Sequence, residues 1–279
     1  MIYILLIHKR SLLTVLLLLL FLAWLPSTHG ELKNRNEGFH AVGVPILLYH
    51  RFGPVASDSM TVTTNTFDSG LKYLINNGYK VIPLKDLVDS YLGKKPIPTP
   101  RSVVITVDDG HKSVYTDMFP LVRRYHIPVT LFIYPSAISN APYAMTWGQL
   151  REMKEIGLFD FQSHTFWHPN FKKDKKRLKP DEYESFVSMQ LTKSREKLEK
   201  ELNVKVNMLA WPFGIYDDEL IRKAMETGYV ATFTMERHPA SHLDNVMALP
   251  RYLMANGERG KTFGTILVDS PGREKDAHE

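Results

Sequence analysis

Ser102-Val-Val-Ile-Thr-Val107-Asp108-Asp109-Gly110 is an apolar, largely β-branched run that stops abruptly on two carboxylates and a glycine. Such a run reads as a strand buried on both faces, the pattern of a parallel sheet. Side chains alternate along a strand, so adjacent aspartates point in different directions unless the chain turns there. Gly110 permits that turn.

A second cluster, His164-Thr-Phe-Trp-His168, follows the predicted strand Leu158–Gln162. Its two imidazoles, with a carboxylate from another strand end, form a ligand set for a divalent metal that keeps positions open for water and substrate. Asp109, His164 and His168 suit that set. Asp108 is then left as a base, and His50, at the end of another predicted strand, is the candidate acid because imidazole titrates near neutrality. Either cluster alone also fits a structural turn or a packed histidine pair; their joint placement at strand ends carries the reading.

The rest of the chain alternates strands with helices. Predicted strands are Val44–Tyr49, Tyr79–Ile82, Val129–Tyr134, Lys205–Ala210, Tyr229–Thr234 and Val246–Leu253. Predicted helices are Thr66–Asn77, Leu84–Leu92, Val114–Tyr125, Thr146–Ile156, Asp181–Leu202 and Asp217–Thr227. This alternation argues for parallel strands with right-handed crossovers. His50, Asp108/Asp109, His164/His168 and Pro212-Phe213 each follow a strand. In an α/β barrel those ends share one face, so a single-domain barrel brings them together. The Lys-rich stretch 170–180 reads as a loop, and there is no internal repeat.

With 279 residues the chain is long enough for one barrel of about 250 residues. Lys+Arg 35 against Asp+Glu 30 gives +5, too mild to argue for a nucleic-acid partner. The absence of cysteine excludes disulfides, thiol nucleophiles and thiolate metal sites. At the start, His8-Lys9-Arg10 precedes an apolar run, Ser11–Leu25, and then Pro26. Residues 1–30 therefore read as a signal peptide or an uncleaved membrane anchor, and export follows: periplasm, cell surface or secretion. Residues 31–42 read as a linker, 43–256 as the barrel and 257–279 as a polar tail.

Thr106-Val-Asp108-Asp109-Gly110, Ser163-His164-Thr-x-x-His168-Pro169 and Trp211-Pro212-Phe213-Gly214 resemble, in order, the motifs of the polysaccharide deacetylase family (NodB-homology, carbohydrate esterase 4). The resemblance spans about residues 43–253. It implies a distorted (β/α) barrel of seven or eight strands and removal of N-acetyl groups from an N-acetylglucosamine polymer at a divalent metal. Zn is the leading metal, with Ni, Co or Fe as alternatives. It implies that Asp108 is the base, that Asp109, His164 and His168 bind metal, and that the Phe213 N–H holds the oxyanion. Ile46-Leu-Leu-Tyr-His50, Phe119-Pro120 and Leu249-Pro250-Arg251 look like the subgroup acting on poly-β-1,6-N-acetylglucosamine, in which a first-strand histidine serves as the acid. Most members carry an arginine where this chain has Ala210; that arginine orients the base, and Arg251 is the candidate substitute.

The leading expectation is a monomeric, metal-dependent N-deacetylase at the cell envelope. Its alternatives are a deacetylase of peptidoglycan or chitooligosaccharide, and a carbohydrate-binding barrel without turnover. Phosphate chemistry on an open sheet would need a Gly-rich loop that is missing. Trp167 and Trp211 are expected to wall the substrate groove, with Lys172, Lys173, Lys175 and Lys176 at its border.

Overall fold

In the computed structural model, described for residues 43–257 and 261–268, the predicted alternation is present. In chain order the elements are β1 (Ile46–Tyr49), β2 (Arg51–Gly53), β3 (Thr61–Thr63), α1 (Thr64–Asn76), β4 (Lys80–Val81), α2 (Leu84–Tyr91) and β5 (Ser102–Asp109). A π turn at Val114–Met118 leads into α3 (Phe119–Tyr125), followed by β6 (Val129–Ile133), α4 (Trp147–Glu155) and β7 (Phe159–Ser163). Then come α5 (Phe171–Arg177), α6 (Pro180–Leu202), β8 (Met208–Ala210), a 3-10 turn at Pro212–Gly214 and α7 (Asp218–Glu226). The described chain ends with β9 (Ala231–Phe233), a 3-10 turn at Val246–Ala248, β10 (Tyr252–Leu253) and α8 (Lys261–Val268).

The main sheet runs β10-β1-β5-β6-β7-β8-β9, all parallel, with β4 added against the start of β5. It curls into a distorted (β/α) barrel in one domain. Between its last strands, Leu249 bridges to Phe233, and the Thr234 N–H donates to the Leu249 carbonyl.

Period-two alternation decides which residues face inward. Ile46, Val104, Phe132, Met208, Ala210, Ala231, Phe233 and Leu249 pack together, whereas Leu47, Val103, Ile105, Val107, Leu209 and Trp211 join the larger cluster beneath the helices. Each fully buried Val, Leu, Ile, Phe or Met among them contributes about 1.5–3 kcal/mol. Helix ends are fixed locally: Thr146 and Gln149 form a reciprocal capping box at α4. Thr63 caps α1, while Asn256 Oδ1 accepts from both the Thr63 N–H and the Thr66 hydroxyl.

Four local readings change. The β2–β3 pair was not foreseen, because strands of three residues leave no usable period. Residues 171–177 form a helix rather than a loop; Asn170 caps it and Phe171 anchors it in the core. The expected helix 114–125 opens with a π turn just ahead of Pro120, whose ring nitrogen has no N–H to donate. Within the expected polar tail 257–279, Lys261–Val268 is helical, with Phe263, Ile266 and Leu267 buried against Tyr73 and its neighbours. The signal segment 1–30 and the linker 31–42 lie outside the described residues. Among the described residues, no helix is long and apolar enough to cross a membrane.

Candidate active site

Along β5, Val104, Thr106 and Asp108 share the inward parity, so Asp108 enters the barrel and is buried. Asp109 would point outward, but its backbone turns to φ 77° and Gly110 follows at φ 84°. The turn sends both carboxylates to the same rim. A Cβ on Gly110 would meet Ile138 at 3.1 Å, so steric room and backbone sign both favour glycine there.

His164 leaves the end of β7, and its Nδ1 lies 2.8 Å from the Ala210 carbonyl. A carbonyl only accepts, so Nδ1 carries the proton and Nε2 presents a lone pair. That Nε2 and the Nε2 of His168 each lie 3.6 Å from Asp109 Oδ1. The three ligand atoms fall within 4.8 Å of one another. Asp109 Oδ1 is buried with no hydrogen-bond partner from the protein. A buried, unpaired carboxylate oxygen facing two imidazole lone pairs is a donor set that fits a divalent cation.

Burial raises the Asp108 carboxyl, but the facing Arg251 guanidinium, with His164 and His50, outweighs it and holds the group at about 2. Burial pushes the His164 imidazole down to about 3 and lowers His168 as well. Both imidazoles are therefore neutral near pH 7, the form that ligates metal. Burial pushes Asp109 up.

Thr165, His168 and Phe213 also take left-handed backbone, at φ 65°, 61° and 58°. Such positions cost about 1–3 kcal/mol each and persist only where the surroundings over-determine them. Here the Thr165 N–H donates to Ser163 Oγ and the His168 N–H to Thr165 Oγ1, while the Phe213 ring packs edge-on against His168 at 4.6 Å. The 3-10 turn after β8 thus carries Phe213 to the histidines.

A family model described as polysaccharide deacetylase matches residues 95–232. A poly-beta-1,6-N-acetyl-D-glucosamine N-deacetylase of Staphylococcus epidermidis is 30% identical over 220 residues, 77% of this chain and 74% of that protein. The chain belongs to the polysaccharide deacetylase family. Among solved structures, the Streptococcus pyogenes deacetylase PplD in complex with acetate matches with TM-score 0.72 at 23% identity, covering 81% of this chain and 99% of that one. IcaB from Ammonifex degensii matches with TM-score 0.71 at 21% identity, covering 84% and 99%. At those identities the likeness is one of fold.

This polysaccharide deacetylase brings His50, Asp108, Asp109, His164, His168 and Arg251 to one region of the barrel. His50 is near enough to bear electrostatically on both aspartates, and its Nδ1 is buried without a partner. Arg251 clamps Asp108, donating 2.7 Å hydrogen bonds to both of its oxygens, a contact that the Ala210 side chain cannot make. Trp167 is 47% exposed beside His168 and suits a groove wall. Trp211 does not: it is fully buried, its indole N–H donates to Thr232 Oγ1, and its ring meets Phe171. The reason is parity, since Ala210 faces into the barrel and the next side chain must face the helices. Nor is Lys175 a border charge, because Asp217 and Glu219 each hold its ammonium at 2.8 Å.

A pocket of about 400 Å³ opens beside Asp109, lined also by Arg51, His111, Tyr134 and Tyr143. Tyr134, whose ring lies 5.3 Å from that of His168, was missed in the sequence. It directly follows β6, so the strand-end rule that found the other site residues applies to it too. Among the remaining histidines, His126 ends α3 in a left-handed cap.

Proposed function

We propose that this polysaccharide deacetylase is an exported, metal-dependent N-deacetylase of poly-β-1,6-N-acetylglucosamine. The observation that carries the reading is the Asp109–His164–His168 donor cluster beside an ionised, arginine-clamped Asp108. The likeness to the staphylococcal deacetylase supports the polymer, and the apolar run Ser11–Leu25 supports export, whether residues 1–30 are cleaved or kept as an anchor. The domain division, with linker 31–42 and a barrel over 43–256, belongs to the same proposal, as does a monomer at the cell envelope.

Asp109, His164 and His168 would hold the cation, with Zn the leading choice and Ni, Co or Fe compatible with the same N and O donors. A divalent metal bound there polarises the amide carbonyl and acidifies water. Asp108 accepts the proton of the attacking water, and Arg251 fixes the plane of its carboxylate. The Phe213 N–H donates to the oxygen on which negative charge develops. His50 donates a proton to the leaving nitrogen as the C–N bond breaks, leaving acetate and a glucosamine amine. Trp167 offers an aromatic face to a sugar ring.

Acetate release tests the reading. The purified protein is assayed on poly-β-1,6-N-acetylglucosamine, chitooligosaccharide and peptidoglycan, each with and without chelator. Chelator-sensitive release that is greatest on the first polymer is expected. Preference for either other glycan overturns the substrate, and absence of release from all three overturns turnover.

A further inference from the structure

The turn between the two metal-binding histidines is held by a residue outside the site. We propose that Gln190 is a positioning residue: its carboxamide oxygen fixes residues 164–168 and thereby sets the separation of the His164 and His168 imidazoles. The proposal rests on the metal reading given above.

Gln190 lies on the inner face of α6, fully buried between Val187 and Leu191. An apolar side chain would fill that space without bringing a polar group into the core. Its Oε1 accepts from two consecutive backbone amides, Phe166 N–H at 3.1 Å and Trp167 N–H at 3.0 Å. Two converging N–H donors identify that atom as the oxygen, and Nε2 faces only the Met189 sulfur at 3.9 Å.

Those two amides belong to the residues between Thr165 and His168, both in left-handed backbone. That segment lies in neither strand nor helix; the Ser136 N–H holds its Phe166 carbonyl at 3.1 Å, and among the described residues it is Gln190 that meets its two N–H groups. One turn further along α6, Ser194 Oγ lies 2.8 Å from Ser163 Oγ, which accepts the Thr165 N–H. The helix therefore grips the turn before His164 and again ahead of His168. Gln190 touches neither imidazole; it acts through the backbone between them.

The test uses full-length protein, Zn²⁺ alone as ligand and a chromophoric competitor to read the dissociation constant. Gln190→Met keeps size but removes the acceptor, and weakening of about 10–100-fold is expected, the usual range for groups that orient metal ligands. Gln190→Glu keeps an oxygen in the same place whether ionised or protonated, so binding close to wild type is expected. With Co²⁺ in place of Zn²⁺, the visible bands should shift in Gln190→Met and not in Gln190→Glu. Unchanged Zn²⁺ binding in Gln190→Met overturns the proposal, as does a Glu variant as weak as the Met variant. Should the Met variant fail to fold, hydrogen exchange of the wild-type Phe166 and Trp167 amides decides: protection supports the clamp, and loop-like exchange overturns it. Wild-type protein that binds no Zn²⁺ overturns the metal reading and this proposal together, whereas wild-type binding with an indifferent Gln190→Met overturns this proposal alone.

Discussion

Arg251 and Asp108 meet as a closed fork, with Nη1 and Nη2 each 2.7 Å from a different carboxylate oxygen and both groups sealed from solvent. The remaining guanidinium contacts are also satisfied: Nε donates to the Thr234 carbonyl at 3.0 Å, and the plane lies over the Phe132 ring. Burying two ions this deeply is tolerable only when each satisfies the other. The arginine comes from position 251, just ahead of β10, rather than from position 210 at the end of β8, so the Asp108 carboxylate is oriented from a different part of the sheet.

Removing the arginine should therefore harm stability and turnover alike. Arg251→Met keeps most of the length but strands a buried carboxylate, and a loss of about 3–5 kcal/mol in urea unfolding is expected. Arg251→Lys restores the charge without the planar fork, so it should recover stability in part while acetate release stays well below wild type. A Met variant as stable as wild type would show that the pair does not act as the geometry suggests.

Asp108→Asn retains an oxygen for Arg251 but cannot take a proton. Turnover should fall by roughly 10²–10⁴, the usual contribution of a general base, with Zn²⁺ still bound. His50→Ala should likewise spare metal binding while slowing amine release. Loss of stoichiometric metal in the His50 variant would make that residue a ligand and require the roles to be redrawn. The paired variant His164→Ala, His168→Ala should hold no stoichiometric metal, and His126→Ala should bind it normally.

The buried histidine also sets a pH dependence. His164 titrates at about 3 when folded, against 6.5 ordinarily, because burial disfavours its charged form. Between those values the unfolded chain binds the proton and the folded chain does not, so stability falls as pH drops from 6.5 towards 3. Asp108, lowered to about 2 from 3.8, adds a loss of the same sign below 3.8, while the raised Asp109 works in the opposite direction. In chelator-treated protein, His164→Asn should flatten the dependence of unfolding free energy on pH across the upper window. An equal slope in wild type and variant would assign the acid sensitivity elsewhere.

Much of this site is legible in the chain because strand ends announce themselves. The run 102–107 ends on Asp108, Phe159–Ser163 ends on His164, and the barrel rule then gathers residues far apart in sequence. Gln190 is invisible by the same logic: it sits within a long charged helix, and its partners are backbone amides that no motif records. Trp211 fails for a subtler reason, since adjacency to a site segment does not decide direction. Counting parity from Ala210 would have turned it outward. The helix Lys261–Val268 was hidden because its anchors, Phe263, Ile266 and Leu267 among them, are few within an otherwise polar stretch.

The two tryptophans should separate cleanly in experiment. Trp211 is enclosed, with its indole N–H committed to Thr232. Truncation there leaves a large cavity and removes a buried hydrogen bond, so Trp211→Ala should destabilise by about 3–5 kcal/mol. Trp211→Phe should recover part of that loss, and what folded enzyme remains should show an ordinary KM. Trp167, beside His168 and half exposed, rests against the Phe186 ring, and on the proposed reading it stacks on a sugar ring of the polymer. Trp167→Ala should leave the unfolding midpoint almost unchanged and raise KM for the polymer several-fold, about the effect of losing one stacking contact of 0.5–1.5 kcal/mol. Thermal melts and acetate-release kinetics on both variants decide the matter. A KM effect confined to Trp211, or a stability loss confined to Trp167, would invert the assignment of wall and core.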